Sequence, residues 1–361
     1  MPGSPKRDDD FAGPAGTRGA GGGSMVDWFR TPEWGLVASI AAILGLIYLL
    51  DPSHAFFQEY NLNSLVQQIG LYGVLALGAS VVIISGGIDL SVGAVVALTS
   101  VVSAKLLTEW LRNGENPAIP PSTAVVVAAM ALTLLLGLAI GLGHAFLINH
   151  LRLPPFIATL ASMSGLRSLA SIICSNKQIN VPYPAFRSLG SGEYKTFATF
   201  GVVAIAVAIT MGATVLGRHL YAMGGNEAAA RLSGLKINRL KMFAYGLSGM
   251  LAALAGILFT GRSGQADYKM GISYELYAIT AAVVGGCSLS GGVGSVRGTV
   301  LGLVLLQTLI KGTALVVKKI DFMIGQTRVL IELNSTQVEG LVLGSVILIA
   351  VAVNQRFRVK S

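Results

Sequence analysis

The sequence predicts an all-α, polytopic membrane protein of about ten transmembrane helices, with a broken or re-entrant element near Gly86–Asp89. Three observations carry that prediction. Of 361 residues, 53% are hydrophobic and only 12% charged, about half the charged share of a soluble globular chain. Several apolar runs approach twenty residues, the length at which an α-helix crosses roughly 30 Å of hydrocarbon. Glycine occurs 45 times without a collagen-like period, so the excess belongs to breaks and close helix contacts rather than to a fibre.

Residues 1–24 are glycine, proline and charge, with too little apolar surface to fold. They do not read as a signal peptide, because Lys6–Arg7 leads into three aspartates instead of an apolar core. They are read as a disordered cytoplasmic tail, and 25–361 as one transmembrane domain that opens on an interfacial anchor, Trp28–Phe29–Arg30. The first span, 34–50, is free of charge, and the second, 66–85, runs into Gly86–Gly87. The third, 88–107, opens on Asp89; the fourth, 122–148, is the longest uncharged run. The fifth, 155–174, starts at Pro155, a favoured first helical residue, and holds Arg167. The sixth (196–217) and seventh (242–261) carry no charge, whereas the eighth (273–290) contains Glu275 and several glycines. The ninth and tenth are 296–317 and 339–354. An even count puts both termini on one side. The basic cluster of Arg218, Arg231, Lys236, Arg239 and Lys241 makes that side cytoplasmic by the positive-inside rule.

Several function classes are excluded by what is missing. No G-x-x-x-x-G-K-[ST] loop is present to cradle nucleotide phosphates, and no H-E-x-x-H or G-x-S-x-G pattern occurs. The four histidines are scattered, and two cysteines make no disulfide framework. The net charge of +9 sits mostly between apolar runs and does not call for nucleic acid. No cofactor site is visible, so the chain is read as a transporter component and not as an enzyme.

Two segments carry the functional reading. In Ser85–Gly86–Gly87–Ile88–Asp89–Leu90–Ser91, two glycines interrupt an apolar stretch and an aspartate opens the next. Asp89 suits a helix cap, accepting free amide hydrogens at the positive end of the dipole. Alternatively, the break lines a protein-enclosed path, where irregular backbone is tolerated inside a membrane. In the cytoplasmic loop 218–241, Asn226 can cap a short helix starting at Glu227. Ala228 and Ala229 favour that helix, and Gly234 can end it after Arg231. A helix so short is not stable alone in water; it is read either as a solvated linker or as a knob held against another surface. Gly137/Gly141, Gly298/Gly302 and Gly340/Gly344 each lie one helical turn apart and suit close helix packing.

Together with Tyr274–Glu275–Leu276 and the run Gly285–Gly286–Cys287–Ser288–Leu289–Ser290–Gly291–Gly292, these two segments resemble the permeases of ribose/xylose-type sugar ABC importers. The resemblance covers about 55–315 and resumes near Gln337. It implies a bacterial inner-membrane subunit that translocates a monosaccharide by alternating access. It also implies a second permease subunit, an ABC ATPase that carries ATP and Mg, a periplasmic sugar-binding protein and surrounding membrane lipid. Asn226, Glu227, Ala228, Ala229, Arg231 and Gly234 would then couple to the ATPase. Gly86, Gly87, Asp89, Ser91, Arg167 and Glu275 would belong to the translocation path or broken helix. Arg167 lies some twelve helical residues past Pro155, roughly 18 Å into its span. It either snorkels to the outer interface past Ser171, or faces the central cavity and donates to a sugar hydroxyl or to an acid on a neighbouring span. The same machine with a branched-chain amino acid or autoinducer as cargo is the nearest rival. An autonomous secondary transporter is the next, with Arg167, Asp89 and Glu275 as its candidate ionisable groups. The chain departs from the family at Tyr277, where many relatives carry aspartate, at Cys287, where many carry threonine, and in a longer outer segment at 311–338. The part from Ile320 to Leu333 suits either an interfacial helix or a hairpin.

Overall fold

Charge-free runs of twenty or more residues leave the backbone no solvent to bond, so helices are the form they take in a membrane. The computed structural model describes residues 32–112, 116, 119–316, 319–324, 327–332 and 335–358. The tail at 1–24 and the Trp28–Phe29–Arg30 anchor lie outside the described residues. The helices run α1 Pro32–Leu50, α2 Glu59–Ile84, α3 Val92–Lys105, α4 Thr123–His150, α5 Pro155–Ile173, α6 Pro184–Ser191 and α7 Glu193–Ala213. They continue as α8 Val215–Gly225, α9 Glu227–Leu232, α10 Ile237–Ser263, α11 Tyr274–Val284, α12 Val296–Val316 and α13 Ser335–Arg358. A π-helical turn, Leu106–Trp110, extends α3.

Among the described residues, eight helices are long and apolar enough to cross a membrane: α1, α2, α3 with its π turn, α4, α5, α7, α10 and α12. The expected count of ten is met only by adding two shorter apolar stretches, α11 and Gln337–Ala350 of α13. The eighth expected span, 273–290, is therefore corrected to an 11-residue helix, about 16 Å long. It stops at Gly285 because the loop that follows uses left-handed backbone at Gly286, Gly291 and Gly292, which only glycine adopts freely. The sixth expected span, 196–217, divides at Thr214, whose backbone is extended and whose hydroxyl accepts from Gly217 N (3.1 Å) to start α8.

The predominantly buried helices α2, α3 and α10 form the centre, and α1, α4, α5 and α7 are mostly exposed around them. α10 packs on α4, α2 and α3; α11 lies between α2, α12 and α13. The glycine pairs explain two of these contacts. A Cβ at Gly137 or Gly141 would come within 2.4 Å of Gly249 O or 2.1 Å of Tyr245 O on α10, and one at Gly302 within 2.3 Å of Ala281 O on α11. Gly340 and Gly344, by contrast, face open space. Two short antiparallel pairs complete the fold: β1 Ile179–Asn180 with β2 Gln265–Ala266, and β3 Lys319–Ile324 with β4 Thr327–Glu332. Within the long 311–338 segment, the second pair forms a hairpin between α12 and α13, in register Lys319 to Glu332.

Candidate functional site

The loop 218–241 forms the short helix that its residues specify. Asn226 Oδ1 accepts from Ala229 N (2.9 Å), and Gly234, at φ 83°, turns the chain out of α9. Glu227 pairs with Arg231 one turn on (2.9 Å) and with Lys241 at the start of α10 (2.9 Å). Partial burial works against the Glu227 carboxylate, yet those two cations hold it below the usual carboxylate range. Ala228, Ala229 and Leu232 face outward, whereas Ala230 is buried. Leu232 is 90% exposed, a large apolar side chain presented on a polar loop. Sequence reading passed it over; its signal was a lone leucine among alanines and charges on a polar segment.

Three glycine-rich stretches meet just before α9. Gly292 N donates to Ile84 O (2.8 Å), and Tyr221 Oη on α8 donates to Gly294 O (2.9 Å). A Cβ on Gly224 would lie 1.9 Å from Ile84 O, and one on Gly291 2.6 Å from the Gly86 Cα. The end of α2, the end of α8 and the loop after α11 thus touch backbone to backbone, with no room for a side chain at Gly224 or Gly291.

The break between α2 and α3 spans Ser85–Ser91, as expected. Asp89 is buried and fully engaged. Its Oδ1 accepts from Ser91 N (3.0 Å) and Ser91 Oγ (2.6 Å), and its Oδ2 from Ser248 Oγ on α10 (2.9 Å). Asp89 therefore pins the entry to α3 by bonding the amide at Ser91 and not those of the first helical turn. Gly87 leaves room for Tyr245, whose hydroxyl donates to Ile88 O (3.4 Å).

Arg167 bonds the backbone of the segment between α10 and α11. Its Nη1 donates to Tyr268 O (2.9 Å) and Met270 O (3.2 Å), and its Nη2 to Gly271 O (3.3 Å). The segment 267–273 is non-regular backbone; Arg167 donates to its Tyr268 and Met270 carbonyls and shares Gly271 O with Tyr274 N (3.3 Å). Glu275, in the first turn of α11, is close enough to Arg167 and Asp89 for their charges to interact. Its Oε2 is buried with no hydrogen-bond partner among the described residues. Gly93 makes the packing possible, since a Cβ there would meet Gly271 O at 2.1 Å and Glu275 Oε2 at 2.4 Å. The structure thus gathers Asp89, Ser91, Arg167 and Glu275 around the break, and places Asn226 to Gly234 apart from them beyond the glycine junction. Among the described residues, no group of histidine, cysteine and acidic side chains could hold a metal ion.

Comparison with known proteins fits this geometry. Residues 61–351 match the family described as branched-chain amino acid transport system / permease component. The ribose import permease protein RbsC of Escherichia coli (strain K12) is 38% identical over 283 residues, covering 76% of this chain and 84% of its own. RbsC of Bacillus subtilis (strain 168) is 35% identical over 291 residues, covering 77% of this chain and 85% of its own. The galactose/methyl galactoside import permease protein MglC of Escherichia coli (strain K12) is 34% identical over 289 residues, covering 77% and 85%. No solved structure matches the chain. A multi-pass helical core, a pinned break and a short exposed helix are thus found in a chain that belongs to the branched-chain amino acid transport system / permease component family.

Proposed function

We propose that this chain is the permease subunit of an ATP-driven, binding-protein-dependent importer, and that its cargo is a monosaccharide of the ribose or galactose kind. The reading rests above all on α9: a capped, six-residue helix tied to α10 by Lys241 and presenting Ala228, Ala229 and Leu232 to the outside. Such a helix fits a groove on an ATPase subunit, with Leu232 as its apolar anchor and the Glu227, Arg231 and Lys241 charges holding it upright. The names of the relatives favour sugar over amino acid. The working assembly is two permease subunits, two ATPase subunits that carry ATP and Mg, and a sugar-binding protein on the outer side, in a bacterial inner membrane with both termini cytoplasmic.

Alternating access then requires the ATP-bound ATPase pair to prefer one permease conformation over the other. Movement of α9 would pass through α8 to the glycine junction, and from there to the break at Ser85–Ser91 and to the loop after α11. Asp89, Ser91, Arg167 and Glu275 are assigned to keeping the two interruptions of the helical core in register, next to the path.

The test is docking. Ala229→Trp adds a bulky ring on the exposed side of α9, outside the hydrocarbon. The variant should insert and fold as the wild type does, yet lose co-elution with the ATPase and at least tenfold of sugar uptake. Unchanged assembly and uptake would leave α9 a solvated linker, for which a surface substitution costs within about 0.5 kcal/mol.

A further inference from the structure

Two cavities, one walled by α2, α11 and α13 and one by α2, α12 and α13, share one residue, Glu339. The larger, about 490 Å³, is bounded by Tyr72, Tyr274, Tyr277 and Glu339, and by the glycines Gly340 and Gly344 of α13. The smaller, about 260 Å³, is bounded by Asn61, Gln68, Lys311 and Glu339. The larger lies within the usual range for small-molecule sites, roughly 300–1,000 Å³, which are mostly apolar walls with a few placed polar groups. Its walls have that character. Tyr72 stacks on Tyr277 (centroids 4.8 Å apart, planes 26°) and meets Tyr274 edge-on (5.0 Å, 66°). The Tyr277 hydroxyl donates to the Glu339 carboxylate. A Cβ at Gly340 or Gly344 would meet nothing within 4 Å, so these two glycines widen the space and do not serve helix packing inside the chain.

We propose that this pair of cavities is a contact site for the sugar in transit, held by stacking on the tyrosines and by hydroxyl donation to Glu339; the proposal rests on the importer reading above. Three features select a neutral polyhydroxyl ligand. Asn61, Gln68 and Tyr72 fall on one face of α2, at spacings of seven and four, and so form a ladder of hydrogen-bonding groups along the helix. Lys311 and Glu339 carry opposite charges, so the lining has no net sign to hold an ion. Amide, ammonium, phenol and carboxylate together offer donors and acceptors at several angles, as hydroxyls on every face of a sugar ring require.

The experiment uses the full chain reconstituted in proteoliposomes with its ATPase and binding protein, with radiolabelled ribose and galactose as probes. Glu339→Ala should lower uptake tenfold or more, while co-elution with the ATPase and its basal hydrolysis stay within twofold, so that sugar moved per ATP falls by the same factor. Gly340→Cys should import normally until a small charged thiol reagent is added, which should block it, with sugar present slowing the block. The wild type, whose two cysteines are buried, is the control. A Gly340→Cys thiol that does not react would mean the cavity is dry, filled by lipid or by a second copy of the chain, and would overturn the proposal. Reaction without loss of uptake, or Glu339→Ala with wild-type uptake, would place the cavity off the path. If the wild-type assembly itself moves neither sugar, the cargo reading fails, and that outcome is distinct from failure of this site.

Discussion

At the scale of single residues, the balance between burial and bonding explains the charges inside the membrane. An arginine at the centre of a span costs roughly 2.5–3.5 kcal/mol on insertion scales, and Arg167 offsets that cost with three carbonyls of one loop. Arg167→Ala removes these charge-assisted bonds, each worth about 1.5–3 kcal/mol net, and takes their side-chain donor from the Tyr268 and Met270 carbonyls. A fall of several degrees in melting temperature in detergent is expected. Arg167→Lys should recover only part of it, because an ammonium cannot span three acceptors as a planar guanidinium does. Glu227 obeys a different rule. Its carboxyl is held below the usual carboxylate range by Lys241 and Arg231. Its contribution to α9 is thus present above the unfolded carboxylate pKa and is lost as pH falls through the folded one. Amide exchange at Ala229 and Ala230 should accelerate on acidification below that range, and Glu227→Gln should abolish the pH dependence. Solvent access to Glu227 and Arg231 keeps the stability change small.

At the scale of elements, the glycine junction makes a sharper demand than any helix. Gly224→Ala would press a methyl against the Ile84 carbonyl (1.9 Å), whereas Gly225→Ala, one residue on, meets nothing within 4 Å. The first should lower melting temperature markedly and reduce uptake; the second should match the wild type within about 0.5 kcal/mol. Sequence reading reached the capped α9 and the break at Gly86 because both are local: a cap, a glycine pair and an aspartate suffice to specify them. It did not reach the shortness of α11, because apolar content continues through 285–290 and only the positive φ angles of Gly286, Gly291 and Gly292 end the helix. Nor could it choose the hairpin at Lys319–Glu332, where alternating and helical apolar spacing coexist.

At the scale of the molecule, the span pattern was legible because hydrocarbon thickness sets helix length, and the order of the long helices follows the expected one. What stayed hidden depends on contacts distant in sequence: Arg167 with Gly271, Gly86 with Gly224 and Gly291, Tyr277 with Glu339. Orientation is testable directly. With Cys174 and Cys287 buried, the proposed orientation expects a cysteine at Gln58 to react with an impermeant thiol reagent in intact cells, and one at Ser233 only after permeabilisation. The reverse pattern would invert the topology. The loop that satisfies Arg167 also has a consequence for how the protein is made. Its first carbonyl lies 101 residues downstream of the arginine, a delay of roughly 5–20 s at 5–20 residues per second of synthesis. During that interval α5 is in the membrane without its acceptors, and the guanidinium must reach for the lipid headgroups. The arginine is therefore a surface-seeking side chain in the nascent protein and an internal brace in the finished one.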